Sequence, residues 1–122
     1  MEYVLDSFAW LEYFGANKKY IPFVEPEVEL PLTVITSLTE VARSLLKKGF
    51  PKIDVMTSIE FMISKSVILY IEKENAINAA FFAEEKKLHF ADALIYSFAN
   101  EKRKVVTGDR HFKNLEYVEF IS

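Results

Sequence analysis

The sequence predicts an α/β fold with a mainly parallel central sheet flanked by helices, and two observations lead to this prediction. Short apolar segments rich in β-branched residues alternate with longer segments whose apolar residues recur at helical spacing. An acidic residue also stands just beyond two of the apolar segments, at Asp6 and at Asp109. Alternating strands and helices are typical of parallel sheets, whose sites form beyond the carboxyl ends of the strands.

Five segments are predicted to be strands. Each is short and made largely of β-branched or other apolar residues, a composition that fits a pleated and buried position. In chain order they are residues 3–5, 32–35, 66–71, 104–107 and 118–121.

The predicted helices lie between these strands. Residues 8–14 form the first, which ends at Gly15, and a helix that starts near Ser37 pairs with residues 53–63 in a helical hairpin. Residues 76–85 and 89–101 are two more helices, of which the second has the strongest helical pattern. The acidic, proline-punctuated residues 22–31 are expected to form a loop or an irregular crossing, and residues 109–114 a turn or a short helix.

The composition limits the kinds of function that the chain can have. With 122 residues, the chain has the usual size of one domain, and we expect residues 1–122 to form it. The absence of cysteine excludes disulfides, thiol nucleophiles and cysteine-based zinc sites. A net charge of −3 is unlike the broad basic surface with which proteins neutralise nucleic acids, so such binding would have to be local or bridged by metal ions.

No signal peptide and no apolar segment long enough to span a membrane is found in the sequence. Together with the lack of cysteine, this predicts a soluble cytoplasmic protein. With only three glycines, the chain also lacks the glycine patterns of dinucleotide-binding and P-loop folds.

Three of the acidic residues have ordinary structural explanations when each is considered alone. Asp6 and Asp109 both stand where a helix or turn begins, and aspartate is a favoured N-cap residue. Glu40 precedes Arg43 by three residues, the spacing of a surface ion pair within a helix. For these three positions, the structural and the functional interpretations stay open on spacing alone.

Asp92 is the residue that favours a functional interpretation. Four apolar residues lie at i−4, i+3, i+4 and i+7 from it, so its carboxylate is predicted in the middle of the apolar face of a helix. Burial of an unpaired carboxylate costs several kcal/mol, so the position needs a cation. His89 at i−3 could provide one, but a metal ion is the favoured alternative because strongly perturbed acids collect at functional sites.

A group of carboxylates suits a hard divalent cation such as Mg²⁺. This ion takes oxygen ligands, retains several waters and usually binds beside a substrate phosphate. A metal held in this way lowers the pKa of a bound water, orients it for in-line attack and neutralises charge on a phosphodiester.

Four short motifs resemble the PIN-domain family in their order and spacing across essentially the whole chain. They are Asp6-Ser7 after a strand, Thr39-Glu40-Val41 near the start of a helix, Phe90-Ala91-Asp92-Ala93-Leu94-Ile95 in a late helix, and Thr107-Gly108-Asp109-Arg110-His111-Phe112 after a strand. The combination of Ala-Asp-Ala with Thr-x-Asp-x-x-Phe is the most distinctive part. Within the family, the chain is most similar to the VapC toxins of prokaryotic toxin–antitoxin pairs.

This resemblance implies a three-layer α/β/α PIN-like fold and a Mg²⁺- or Mn²⁺-dependent endoribonuclease that a VapB-type antitoxin inhibits. It also implies that the catalytic and metal-binding residues are an acidic quartet, Asp6, Glu40, Asp92 and Asp109. The hydroxyls of Ser7 and Thr107 would support this site, although local capping explains them equally well.

The sequence departs from the family pattern at His111, where relatives often have a further acid. This departure puts a full second metal site in doubt, and His111 is expected to be a surface residue without a catalytic role. Arg43 and Arg110 are candidates for binding substrate phosphate, with solvated or salt-bridged positions as equal alternatives. Phe81, Phe82 and Phe98 are expected in the core or in a dimer interface, since we also expect a homodimer.

Other functions are compatible with parts of the pattern. A phosphate-transfer enzyme with Asp6 as nucleophile, similar to haloacid dehalogenases, would need a second acid two residues later, where Phe8 stands. A housekeeping PIN-domain nuclease in RNA processing and a catalytically silent PIN-like interaction module stay open as alternatives. The target RNA is not readable from the sequence.

Overall fold

Five parallel strands form the centre of the protein in the computed structural model, which describes residues 1–122. The strands are β1 (Glu2–Leu5), β2 (Leu32–Val34), β3 (Val67–Leu69), β4 (Arg103–Thr107) and β5 (Val118–Phe120). Their order in the sheet is β3-β2-β1-β4-β5, and every neighbouring pair is parallel. The predicted α/β fold with a parallel central sheet is confirmed.

Six α-helices cover the sheet. They are α1 (Ser7–Phe14), α2 (Ile21–Val24), α3 (Ile35–Lys47), α4 (Lys52–Lys65), α5 (Lys73–Lys86) and α6 (Phe90–Tyr96). Two 3₁₀-helices, Lys18–Tyr20 and Arg110–Phe112, complete the structure. None of the helices combines the length and the apolar character that crossing a bilayer requires.

Alternation along the central strands creates a hydrophobic core on each face of the sheet. Val4 and Val105 point into a core with residues of α5 and α6, whereas Leu5 and Val106 point into a core with residues of α1, α3 and α4. All four side chains are fully buried. Successive residues of a strand face opposite sides, so two strands that are apolar throughout require helices on both faces. The three-layer arrangement follows from this pattern.

Three aromatic predictions can be compared with this core. Phe98 is buried and Phe82 packs against the core from a partly buried position. Phe81 instead has 60% of its surface exposed on α5. Core positions are therefore confirmed for Phe82 and Phe98, and a position in a dimer interface stays a prediction for Phe81.

The predicted helix over residues 89–101 is too long, since α6 ends at Tyr96. The amides of Phe98 and Ala99 bond the carbonyls three residues back, and the Ser97 hydroxyl donates to the Leu94 carbonyl. The side chain of Asn100 then accepts from the Lys102 amide in the turn that leads to β4. These local bonds replace the helical ones and end the helix early.

The predicted loop over residues 22–31 also needs correction at its start. Pro22 lies in the first turn of α2, a position where the missing amide hydrogen of proline removes no helical hydrogen bond. The chain leaves helical geometry after Val24, and the remaining acidic residues form an irregular segment up to β2.

Trp10 ties α1 to the sheet. Its side chain is fully buried, and Nε1 donates a hydrogen bond of 3.0 Å to Oγ1 of Thr33 in β2. The indole also stacks on Phe14 and meets Phe61 edge to face. Since Thr33 is equally buried, the hydroxyl is the polar partner that the indole has in the core.

We predict that Thr33→Val destabilises the protein by about 1–3 kcal/mol, because the buried indole N–H loses its acceptor while the side-chain volume stays nearly constant. Thr33→Ser keeps the hydroxyl and should retain that hydrogen bond. In a Trp10→Phe background, which lacks the N–H, the same Thr33→Val change should cost much less. Urea unfolding of wild type, the three single variants and the double variant measures these differences, and an equal cost of Thr33→Val in both backgrounds would contradict the assignment.

Candidate functional site

Asp6 and Asp109 lie at the same edge of the sheet because they follow neighbouring parallel strands. Asp6 comes directly after β1 and Asp109 two residues after β4, and the two strands are in register at Leu5 and Val106. The hydroxyl of Thr107 connects the two acids: it hydrogen-bonds the Asp6 carboxyl, and its oxygen accepts from the Asp109 amide at 2.9 Å. Thr107 therefore contacts the Asp6 carboxyl and the backbone of Asp109 at this edge.

Both aspartates also cap the helices that follow them. Asp6 Oδ1 accepts from the Ala9 amide at 2.8 Å at the start of α1. Asp109 Oδ1 accepts from the His111 amide at 3.0 Å at the start of the 3₁₀-helix. The capping role expected from the sequence is thus present, and it fixes the orientation of each carboxyl while leaving oxygen lone pairs for another ligand.

Glu40 and Asp92 reach the same site from helices on opposite faces of the sheet. Glu40 lies in α3 and Asp92 in the first turn of α6. Burial raises the pKa of each carboxyl, and the charge of Asp109 raises both further. The charge of Asp92 also raises the pKa of Glu40, whereas contact with the Ser7 hydroxyl lowers it. The four predicted acids therefore share one electrostatic site.

Asp6 shows the largest effect of this crowding. Only 2% of its surface is exposed, and burial raises the pKa of its carboxyl from the usual 3.8 to about 7. The charges of Asp92 and Asp109 raise this pKa too, against the hydrogen bonds from Thr107 and from the Ala9 amide. At neutral pH the Asp6 carboxyl of the metal-free folded chain is therefore protonated in about half of the molecules.

The tightest group contains only two of the predicted acids. Ligand atoms of Asp92, Asp109 and His111 all lie within 4.8 Å of one another, whereas Asp6 and Glu40 stand outside this group. His111 Nδ1 is 2.8 Å from Asp109 Oδ1. The expectation that His111 is merely a surface residue is therefore incomplete: its ring is half exposed but belongs to the acidic site.

A signal for this position of His111 was available in the sequence. His111 stands two residues after Asp109, the N-cap of a short helical turn, and at this position the backbone amide donates to the side chain of the cap. The next residue, Phe112, is fully buried. A capped turn anchored by a buried neighbour brings the side chain back toward its own cap. Because relatives often have an acid at this position, His111 was predicted to be a surface residue without a role in the site.

The ion pairs that would have explained the acids structurally do not form. Glu40 makes no salt bridge with Arg43, and Asp92 makes none with His89. The salt bridges of the chain are Glu2 with Arg103, and Asp109 with His111 when that ring is protonated. No arginine or lysine neutralises the site.

The donor set fits a divalent cation. Oε1 of Glu40 is buried and has no hydrogen-bond partner, so this oxygen has lost its water without gaining a protein donor. Carboxylate oxygens with one nearby imidazole suit Mg²⁺ or Mn²⁺, since the chain has no cysteine to select a softer metal.

One surface cavity includes Glu40 in its lining, a second includes Gly108 and Arg110 on either side of Asp109 in the chain, and each contains cationic side chains. One, of about 280 Å³, is lined by Thr39, Glu40, Arg43, Ser44 and Lys47. The other, of about 300 Å³, includes Phe8, Tyr20, Gly108, Arg110 and Lys113 in its lining. Arg43 and Arg110 are both exposed, and neither forms a salt bridge.

Gly108 shapes the second cavity because no side chain fits there. A Cβ at this position would lie 2.5 Å from the Tyr20 hydroxyl and 2.6 Å from Phe8. The chain between Thr107 and Asp109 can therefore approach these rings only with glycine.

Solved structures share this architecture. The chain matches a structure described as a toxin–antitoxin complex from Klebsiella pneumoniae with a TM-score of 0.79 and 17% identity, covering 97% of this chain and 96% of the other. It matches VapBC2 from Rickettsia felis, crystallised with a promoter DNA fragment, with a TM-score of 0.77 and 18% identity over 99% and 98%. The chain has a PIN-like fold.

A third structure, PAE2754 from Pyrobaculum aerophilum, matches with a TM-score of 0.66 and 21% identity over 91% of this chain and 82% of the other. No family model and no curated protein matches the sequence. The solved structures therefore confirm the fold that the motifs implied.

The raised pKa of Asp6 predicts that the metal-free protein becomes more stable on acidification from neutral pH. The folded chain binds this proton more tightly than the unfolded chain, so stability falls as pH rises from about 4 toward 7, by up to about 1.4 kcal/mol per pH unit, and levels off above. Asp6→Asn should flatten this slope. Urea unfolding in the presence of chelator, from about pH 5 to about pH 8, measures this dependence of stability on pH. A wild-type stability that rises with pH over this range would contradict the assignment.

Proposed function

We propose that this chain is a metal-dependent endoribonuclease that hydrolyses phosphodiester bonds in RNA and acts as the toxin of a VapBC-type toxin–antitoxin pair. The observation that carries the proposal is the convergence of four carboxylates, without a neutralising Lys or Arg, at the carboxyl edge of β1 and β4. This edge is where parallel α/β sheets build their sites. Residues 1–122 would act as one PIN domain.

The proposed metal ligands are the quartet of Asp6, Glu40, Asp92 and Asp109. Mg²⁺, or Mn²⁺ in its place, would lower the pKa of a bound water. The ion would also place its positive charge beside the phosphodiester. The Thr107 hydroxyl beside Asp6 and the Ser7 hydroxyl beside Glu40 lower the pKa of these carboxyls, which favours the ionised forms that bind a metal. The capping amides of Ala9 and His111 fix the two aspartates.

The proposed phosphate-binding residues are Arg43 and Arg110. Each lies in a cavity beside the acids and is free of salt bridges, so its guanidinium can bind a phosphate without first breaking an ion pair. In the second cavity the Phe8 ring, which is 37% exposed, offers a surface against which a base can stack. This local binding is compatible with a net charge of −3.

A VapB-type antitoxin and a second copy of the chain are the proposed protein partners. An apolar groove of about 340 Å³ between α1 and the hairpin of α3 and α4 includes Leu11, Phe14, Leu45 and Phe50 in its lining. An apolar segment of an antitoxin would fit this groove. The matching structures from Klebsiella pneumoniae and Rickettsia felis are described as a toxin–antitoxin complex and as VapBC2, which supports a partner of this class. We also propose a cytoplasmic location, because a chain without cysteine forms no disulfide bonds and so does not need an oxidising compartment.

We predict that the purified protein cleaves single-stranded RNA with Mg²⁺ or Mn²⁺ and that excess chelator abolishes cleavage. Asp109→Asn should reduce the rate by about two orders of magnitude or more, because a neutral amide holds the cation poorly. Glu74→Gln, a change at an exposed acid on α5, is the matched control and should leave the rate unchanged. A gel assay with labelled RNA checks this, and undiminished cleavage in chelator excludes the metal mechanism.

We also predict that Arg43→Ala and Arg110→Ala each raise KM about tenfold with a smaller effect on kcat, since a hydrogen bond to a charged group contributes about 1.5–3 kcal/mol. Lys73→Ala on α5 serves as a control for loss of one positive charge. Steady-state cleavage over a range of RNA concentrations separates the two constants. A KM unchanged by both arginine variants would remove these residues from the binding site.

The homodimer prediction concerns the outer face of α5. Ile77 and Phe81 are about 60% exposed one helical turn apart, an apolar surface that a second copy could cover. Light scattering should show a dimer, and Phe81→Lys should shift it to a monomer. Glu101→Lys, on a turn outside α5, should stay dimeric. A monomeric wild type at high concentration contradicts the prediction.

A further inference from the structure

His111 occupies a defined place beside the acids. Its amide donates to Asp109 Oδ1 at 3.0 Å, and the neighbouring Phe112 side chain is fully buried, so the backbone of this turn is held at both points. The ring then lies with Nδ1 2.8 Å from Asp109 Oδ1. Ligand atoms of Asp92, Asp109 and His111 come within 4.8 Å of one another, a span that one metal ion can bridge.

The contact with Asp109 prepares the ring for metal binding. A carboxylate only accepts hydrogen bonds, so in the metal-free protein a neutral His111 donates from Nδ1 to Asp109 Oδ1. These two atoms are 2.8 Å apart, about the separation of two neighbouring ligands of one metal ion. A metal ion bound by both atoms would hold His111 in its other neutral tautomer, with the lone pair of Nδ1 on the metal and the ring proton on Nε2.

An imidazole changes which metal such a site prefers. Carboxylates and water suit Mg²⁺ and Mn²⁺ alike, whereas an imidazole nitrogen favours first-row transition metals. It also contributes no negative charge, which weakens the attraction for Mg²⁺ in comparison with a further carboxylate.

We propose that His111 is a ligand of the divalent ion at this site and that it makes the site select a transition metal such as Mn²⁺ over Mg²⁺. This inference rests on the proposed function, because it names a further ligand of the same metal. His111 joins the carboxylates as the nitrogen donor of the site, and His89, whose ring centre lies 5.1 Å from that of His111, packs edge to face against it.

The composition of the chain allows a sharp test. It contains two histidines and no cysteine, so a nitrogen from a histidine ring on the bound metal can come only from His89 or His111. The experiment uses full-length, untagged, metal-free protein as wild type, His111→Asn, His111→Asp and the control His89→Gln. His111→Asn retains a donor for Asp109, and circular dichroism verifies that each variant is folded.

Calorimetry with Mn²⁺ and with Mg²⁺ gives the ratio of the two affinities. Wild type and His89→Gln should bind Mn²⁺ at least about tenfold more tightly than Mg²⁺, and His111→Asn should reduce this ratio about tenfold. His111→Asp, which supplies a carboxylate, should lower the ratio by strengthening Mg²⁺ binding. Electron spin-echo spectra of the Mn²⁺ complexes should contain an imidazole nitrogen signal in wild type and His89→Gln only.

Each contrary result has its own meaning. If His111→Asn weakens Mn²⁺ and Mg²⁺ binding by the same factor and the nitrogen signal is absent from wild type, His111 merely positions Asp109 and the proposal is overturned. A nitrogen signal lost in His89→Gln but kept in His111→Asn also overturns it. If wild type binds neither ion and cleaves no RNA, the proposed function itself fails.

Discussion

Burial of several carboxylates close to one another at one edge of the sheet is the constraint on which this structure depends. Asp6 is almost fully buried, Glu40 and Asp92 are half-buried, and the charges of Asp92 and Asp109 raise the pKa of their neighbours. No lysine or arginine forms a salt bridge with these four acids. A protein keeps such an arrangement only where something else compensates for it, and perturbed acids of this kind collect at functional sites.

The hydrogen bonds that hold two of these acids in place also stabilise the surrounding fold. Asp6 and Asp109 each cap the helix that follows, so the hydrogen bonds that orient the carboxyls also stabilise helix starts. The parallel register of β1 and β4 brings the two caps together, and Thr107 bonds both. The capping and the metal-binding interpretations of these residues are therefore compatible, because a carboxylate has lone pairs for both.

Much of this could be predicted from sequence because the relevant signals are local. Alternation of apolar strands with helical segments predicted the parallel sheet, and an acid within the apolar face around Asp92 predicted a perturbed carboxylate. The end of α6 could not be predicted in this way. The apolar residues continue at helical spacing beyond Tyr96, but hydrogen bonds of the Ser97 and Asn100 side chains to the backbone end the helix there. The contact of His111 with Asp109 belongs to a local turn, but the place of His111 beside Asp92 depends on how Asp109 and Asp92 meet in space, which the sequence pattern does not give.

The most direct test of this account compares the melting temperatures of wild type and Asp92→Asn, first with chelator and then with millimolar Mg²⁺. The substitution keeps the shape of the side chain and removes one charge from the cluster. In chelator, the variant should melt no lower than wild type, because repulsion and desolvation are relieved. With Mg²⁺, wild type should gain roughly 4 °C or more and the variant much less, since only the intact site binds the ion. A variant that is clearly destabilised in chelator, together with no gain from Mg²⁺ in wild type, would show that Asp92 has a structural role and would contradict the account.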